Sequence, residues 1–219
     1  MSTQADQYQQ LHQQFRWQVP EDFNIATVCC TRWAEDPGRI AIYTDDELNG
    51  DSITTYSELQ RDANRLSNIL QGLGVVRGDR VAIVLPQRPE VAVCHIACHQ
   101  LGAIAMPMSV LFGPEALEYR LQDSGASVFI ADQTGLANLN AIRSACPQLR
   151  HVIALDSEQN HTINWNQSMG SASAQFKPVG TKASDPAVLI YTSGTTGAPK
   201  GALIPQAALL GNLTGFVAS

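Results

Sequence analysis

The chain has little that would carry it into a membrane or onto a nucleic acid. Nowhere do about 18 apolar residues follow one another unbroken, the length a helix needs to cross a bilayer, so no membrane span is expected. Basic residues are in the minority, 14 against 20 acidic for a net charge of −6. A nucleic-acid surface needs a basic footprint, so no such partner is expected. The opening "MSTQADQYQQLHQQ" lacks both the apolar run of a secretory signal and the Arg-rich, amphipathic character of a transit peptide. Five cysteines, an odd count without a secretory signal, read as reduced thiols in a cytoplasmic protein. Charge is scarcest at the far end. From Pro186 to Ser219 there is no Asp, Glu, Arg or His, and Lys200 is the single charged side chain.

What is present suffices for a globular core: 44% of the 219 residues are hydrophobic and 16% charged, enough for one large domain or two small ones. From Thr55 onward the pattern alternates between helix and strand. In "TYSELQRDANRLSNILQGLG", Thr55 is followed three residues later by Glu58, a capping box that satisfies two free amide donors. Leu59, Ala63, Leu66, Leu70 and Leu73 then line one helix face, with Gly74 as the stop. "RVAIVLP" is a short β-branched run that reads as a buried strand. "RPEVAVCHIACHQLG" reads as a buried helix and "AIAMPM" as a strand. "GPEALEYRLQDSG" is a helix with Pro114 in its first turn and Gly125 at its end, followed by "SVFIAD", "TGLANLNAIRSACP" and "HVIALD" as strand, helix and strand.

Buried strands separated by helices of this length predict an α/β fold, a mostly parallel sheet flanked by helices on both faces. The boundaries expected are a lead-in over 1–50, with a short helix in "NIATVCCTRWA", a strand in "RIAIYTDD" and a turn in "DELNGDS". An alternating core then covers 51–156 and a polar, irregular connection 157–185. A strand, a Gly-rich loop and the start of a helix fill 186–219.

That last loop, "YTSGTTGAPKG", carries the chemistry. Open α/β sheets bind ligands beyond the carboxyl ends of their strands. A Gly-rich loop there presents several amide N–H groups at once, a concave site for an anion. Gly194 and Gly197 permit positive φ and close approach of a ligand. Thr192, Ser193, Thr195 and Thr196 add uncharged hydroxyl donors, and Lys200 adds a mobile point charge suited to a phosphate. The loop is not of Walker A type, which needs Gly-Lys-Ser/Thr, because here Lys200 follows Pro199 and precedes Gly201.

The spacing of "YTSGTTGAPKGA" resembles the phosphate-binding signature of the AMP-forming acyl-CoA synthetases, within the adenylate-forming superfamily. "YSELQRDANRLSNILQGLGVVRGDRVAIVLPQRPE" and "GAIAMPMSVLFGPEALEYRLQDSGASVFIAD" are similar to that family's N-terminal domain, and "FRWQVPEDFNIATVCCTRWAEDPGRIAIY" to the opening of its fatty- and aryl-acid-activating branch. The resemblance implies a two-step reaction. A carboxylate attacks the α-phosphorus of Mg2+-ATP, giving acyl-adenylate and pyrophosphate, and the thiol of coenzyme A then displaces AMP. It implies that Thr192, Ser193, Gly194, Thr195, Thr196, Gly197 and Lys200 hold the departing β- and γ-phosphates. Many relatives place a His six residues after the loop lysine, where this chain has Gln206, which donates a hydrogen bond but does not titrate near neutral pH.

Other features weigh less. In "CHIACH", Cys94/Cys98 and His95/His99 fall one helical turn apart, a spacing that can grip zinc, but no second ligand cluster follows and no metal site is expected. In "MSVLFG", Phe112 follows a strand near where relatives admit coenzyme A and could be exposed there, but a packed connection between strand and helix is the favoured reading for that loop. The sequence closes on "QAALLGNLTGFVAS", inside an apolar helical pattern. The resemblance places the adenine, magnesium and acyl-pocket residues and the catalytic lysine of such enzymes beyond this point. The chain therefore reads as the N-terminal portion of a longer enzyme, with no catalytic residue of its own, inactive alone, and prone to self-associate through an uncovered apolar face. Two other readings stand beside it: an adenylating enzyme whose acceptor is a carrier-protein thiol, and a non-catalytic module that binds nucleotide or a partner.

Overall fold

The computed structural model describes residues 9, 12–13, 16–45, 50–156, 160–192 and 197–210. Its centre is a seven-stranded sheet made of β3 (Arg80–Val84), β4 (Ile104–Pro107), β5 (Val128–Ala131), β6 (His151–Ala154), β7 (Ile163–Asn164), β8 (Pro186–Thr192) and β9 (Lys200–Pro205). The spatial order is β7-β6-β5-β3-β4-β8-β9. Every neighbouring pair is parallel except β8 and β9, which form an antiparallel hairpin. This is the mostly parallel α/β sheet that the alternating pattern predicts.

Successive residues of the central strands face opposite sides, and both sides are apolar, as a parallel sheet requires. Val81 and Ile83 of β3, Val128 and Ile130 of β5, and Ile153 of β6 join one core with α1 (Ile25–Cys29), α2 (Tyr56–Gly72), α3 (Pro89–Leu101) and α6 (Trp165–Ser171). Ala82, Val84, Phe129, Ala131 and Val152 join the other with α4 (Pro114–Ser124) and α5 (Gln133–Ile142). Side chains such as Phe129, Leu66 and Ile153 are fully enclosed, each contributing about 1.5–3 kcal/mol of burial free energy.

Local chemistry sets the helix ends. Thr55 caps α2 with the full capping box: its hydroxyl accepts from the Glu58 amide, and Glu58 Oε2 accepts from the Thr55 amide at 2.8 Å. Gly74 beyond the helix takes φ +78°, the left-handed turn expected of the stop. Gly102 and Gly125 close α3 and α4 in the same way.

Four segments depart from the sequence reading. "DSITT" contains β2 (Ser52–Thr55), which pairs antiparallel with β1 (Ile40–Thr44) as a separate two-stranded sheet. The expected helix in "NIATVCCTRWA" is only α1, capped by Asn24, before a 3-10 turn over Thr31–Trp33. The connection expected to be irregular over 157–185 holds β7 and α6. Asn164 caps α6, and Trp165 and Met169, one turn apart, plug into the first core. Finally, β9 rather than a helix follows the Gly-rich loop. Residues 208–210 are helical, and the rest of the expected helix, 211–219, lies outside the described residues.

Candidate phosphate site

β8 runs parallel to β4, so its carboxyl end opens at the same edge of the sheet as the ends of β3, β5 and β6. The chain passes from β3 out to β4 and returns across β3 to β5. Such a reversal of strand order makes a crevice beyond the strand ends. At that edge Arg88 pairs with Glu90 at 2.8 Å and Asp156 at 2.6 Å, tying the ends of β3 and β6 together.

The Gly-rich loop leaves this edge from β8 and returns as β9. Thr192 and Lys200 face each other across the ladder and form its base. Both are exposed, and Gly197 takes φ +96°, the positive value its sequence position anticipates. The structure thus brings together Thr192, Gly197 and Lys200 of the expected phosphate set. Ser193, Gly194, Thr195 and Thr196 lie outside the described residues.

Both stems are gripped by α4. Tyr119 Oη donates to the carbonyl of Pro199 at 3.0 Å, next to Lys200. Tyr191 Oη, next to Thr192, donates to Asp123 Oδ2 at 2.6 Å. Burial and that carboxylate raise the Tyr191 pKa far above the ordinary phenol range, so it stays a donor at any working pH. The two tyrosine rings meet edge to face at 6.4 Å. Gly201 leaves room for this: a Cβ there would sit 3.0 Å from Leu189 Cδ1 and 3.3 Å from Tyr191 Cζ.

Arg120, on the same helix, lies beneath. It is 7% exposed, with its guanidinium carbon 4.0 Å from the Phe112 ring centroid and 5.7 Å from that of Tyr191. Phe112 is therefore half-buried and packed on a cation, in line with the favoured packed reading of that loop; its exposed large apolar residue is Leu111. Sequence reasoning missed Tyr119, Arg120 and Asp123. One signal was available: Arg120 falls on the same face of α4 as Leu117 and Leu121, the face that must be buried.

Gln206 follows the end of β9 remote from Lys200. It is fully buried, and its Oε1 accepts from the Ile25 amide at 2.8 Å, so it fastens the start of α1 to the end of β9. In α3, the His95 and His99 rings stand 6.0 Å apart, and burial holds the His99 pKa down at about 3. Cys94 and Cys98 are buried thiols whose pKa values burial raises, with that of Cys98 at about 12.

Comparison with known proteins agrees with this geometry. The family model described as "AMP-binding enzyme" matches residues 30–219. The acetyl-coenzyme A synthetase of Halorhodospira halophila is 35% identical over 197 residues, which is 81% of this chain and 30% of that protein. That of Novosphingobium aromaticivorans is 33% identical over 207 residues, 86% and 32% of the two chains. The crystal structure of a Brucella canis acyl-CoA synthetase superposes with a TM-score of 0.80 at 28% identity, covering 93% of this chain and 39% of that one. An anthranilate CoA ligase, AuaEII, solved with anthranoyl-AMP, does so with 0.80 at 27%, covering 86% and 36%. The chain spans about a third of the length of the curated relatives it matches. A parallel sheet, a Gly-rich hairpin at its carboxyl edge and a family match that runs through both have one reading: the chain belongs to the AMP-binding enzyme family.

Proposed function

We propose that the chain is the N-terminal portion of an AMP-forming acyl-CoA synthetase and supplies its pyrophosphate-binding loop. The observation that carries this reading is the loop itself. A lone lysine and an exposed threonine face each other at the base of a Gly-rich hairpin, at the ligand-binding edge of the sheet, inside the span matched to the family. Lys200, the hydroxyls of Thr192, Ser193, Thr195 and Thr196, and the loop amides at Gly194 and Gly197 bind the β- and γ-phosphates of ATP. They hold that charge as the carboxylate attacks the α-phosphorus and the α–β bridging oxygen leaves with pyrophosphate. Coenzyme A thiol then displaces AMP to give the thioester. Among the described residues no three His, Cys, Asp or Glu side chains gather into a metal cluster; Mg2+, when bound with ATP, would sit on the phosphates that Lys200 and the loop hold and would neutralise part of their charge. Five free thiols fit a cytoplasmic location.

The acid we favour is medium-chain or aromatic. The resemblance of residues 15–43 to the fatty- and aryl-acid branch supports this, as does the likeness to an anthranilate CoA ligase. Acetate is the second reading, supported by the acetyl-coenzyme A synthetases among the relatives.

The test is carboxylate-dependent ATP–pyrophosphate exchange with octanoate, benzoate and acetate offered separately, to this chain and to any longer chain that contains it. We expect exchange from the longer chain, strongest with octanoate or benzoate, and none from the 219 residues alone. Exchange by the short chain would refute the assignment of the remaining site to other segments. In parallel, pyrophosphate binding to the short chain should weaken about ten- to hundredfold in Lys200→Ala, the value of one charge-assisted hydrogen bond. Unchanged binding would remove Lys200 from the site.

A further inference from the structure

A cavity of about 570 Å3 opens on the side of the sheet away from α4, between β1, the start of α2 and α3. Small-molecule sites commonly measure about 300–1,000 Å3 and are mostly apolar, with a few placed polar groups. This cavity has that character. Ile42, Leu59, Val91, Ala92 and Ile96 give it apolar walls. Val91, Ala92, His95 and Ile96 fall on one face of α3, so a single helix presents one wall while β1 presents the other. None of the candidate phosphate residues borders it.

His95 is the polar group set into the α3 wall. It is half-buried, and its ring nitrogens have no hydrogen-bond partner among the described residues. Burial lowers its pKa, so at neutral pH the imidazole is uncharged and offers one donor and one acceptor. Tyr56 adds a second ring to the lining. Charge is confined to the mouth. There Arg88 is already held by Glu90 and Asp156, and Asp45 also borders the space, three carboxylates against one guanidinium. An anionic ligand would lose hydration at this mouth without meeting a free cation.

We propose that this cavity binds an uncharged aromatic molecule bearing one hydroxyl or amide group. Its rings lie between Ile42 and the Val91–Ile96 face of α3, and its polar group bonds the His95 imidazole. The proposal does not depend on the pyrophosphate reading, and its ligand is distinct in charge from the carboxylic acid of the reaction proposed above. Cys29 supplies a reporter. It borders the cavity and is the one thiol of the five that is not buried, whereas Cys30 beside it is fully enclosed.

The experiment uses the purified chain with 2-naphthol as the probe. Equilibrium dialysis should show saturable binding of one molecule per chain. 2-Naphthoate, with the same rings and a negative charge, should bind about tenfold more weakly or worse. An occupied cavity shields Cys29, so iodoacetamide labelling of that residue, read by peptide mass spectrometry, should slow several-fold at saturating 2-naphthol. Ala92→Phe places a ring in the ligand's position and should weaken 2-naphthol about tenfold or more. His95→Leu should weaken 2-naphthol by roughly three- to tenfold, the value of one hydrogen bond, and leave naphthalene unchanged. Absence of saturable binding, equal affinity for 2-naphthoate, or binding that leaves Cys29 labelling unchanged overturns the proposal. Those three readouts come from the unmodified chain, so they decide the matter even if Ala92→Phe does not fold. Equal loss of 2-naphthol and naphthalene in His95→Leu would overturn the bond to His95.

Discussion

Gly135 sits in the first turns of α5, where that helix lies on the sheet between β3 and β5. A Cβ built there would stand 2.8 Å from Ala131 Cβ, 3.2 Å from Val84 Cγ1 and 3.3 Å from the Val84 carbonyl oxygen. Carbon atoms rest at about 3.5–4.0 Å, so Gly135→Ala leaves a shortfall of roughly 1 Å against an atom fixed to the backbone. No rotamer change relieves it; the helix must lift from the strands. Overpacking of this kind costs about 1–3 kcal/mol, while replacing Gly by Ala inside a helix returns about 1 kcal/mol. The net is a loss of about 1 kcal/mol or somewhat more. For a chain of this size, that lowers the melting temperature by about 2–6 °C. Gly170 in α6 provides the control, because a Cβ there meets nothing within 4 Å and its φ is negative. Gly170→Ala should raise the melting temperature by about 2–3 °C from the helix-propensity term alone. Differential scanning calorimetry of both variants beside the unmodified chain is the assay. A rise in Gly135→Ala would refute the close approach of α5 to β3 and β5 on which the second core depends.

Three further outcomes can be checked. Burial holds His99 at about pH 3, below the roughly 6.5 of an unfolded histidine, so its contribution to stability is complete above about pH 6.5 and is lost progressively as the pH falls. One such proton makes unfolding about 2 kcal/mol easier at pH 5 than at pH 7. In His99→Gln the difference between urea unfolding free energies at those pH values should shrink by about that amount. Thr55→Ala removes the hydroxyl that caps α2 and should cost about 1 kcal/mol by the same method, whereas Thr55→Ser should cost little. The β8–β9 hairpin leaves Ile190 39% and Leu203 55% exposed. We propose that the chain self-associates through this hairpin and binds an apolar-surface dye. Sedimentation should show a concentration-dependent oligomer that Leu203→Ser weakens, and a strictly monomeric, dye-silent chain would refute this.

The sequence by itself determined whatever depends on near neighbours. Hydrophobic period and caps set α2 through Thr55, Glu58 and the Leu59–Leu73 stripe, because a helix face repeats within four residues and a capping box closes within three. Apolar β-branched runs marked β3, β5 and β6 as strands buried on both sides. The glycine spacing placed a positive φ at Gly197. Short elements gave weaker signals. β7 has two residues, and β9 reads locally as an apolar continuation toward the helical pattern after it.

Only the tertiary structure decided what stands behind the loop. Tyr119 and Pro199 are 80 residues apart in the chain, and Tyr191 and Asp123 are 68. Strand pairing across the sheet brings α4 beneath the β8–β9 hairpin, and no local period records that meeting. By sequence, Lys200 is the loop's lone charge. In the fold, Arg120 on the buried face of α4 brings a second cation to within 5.7 Å of the Tyr191 ring centroid, behind the strand whose outer face carries Thr192.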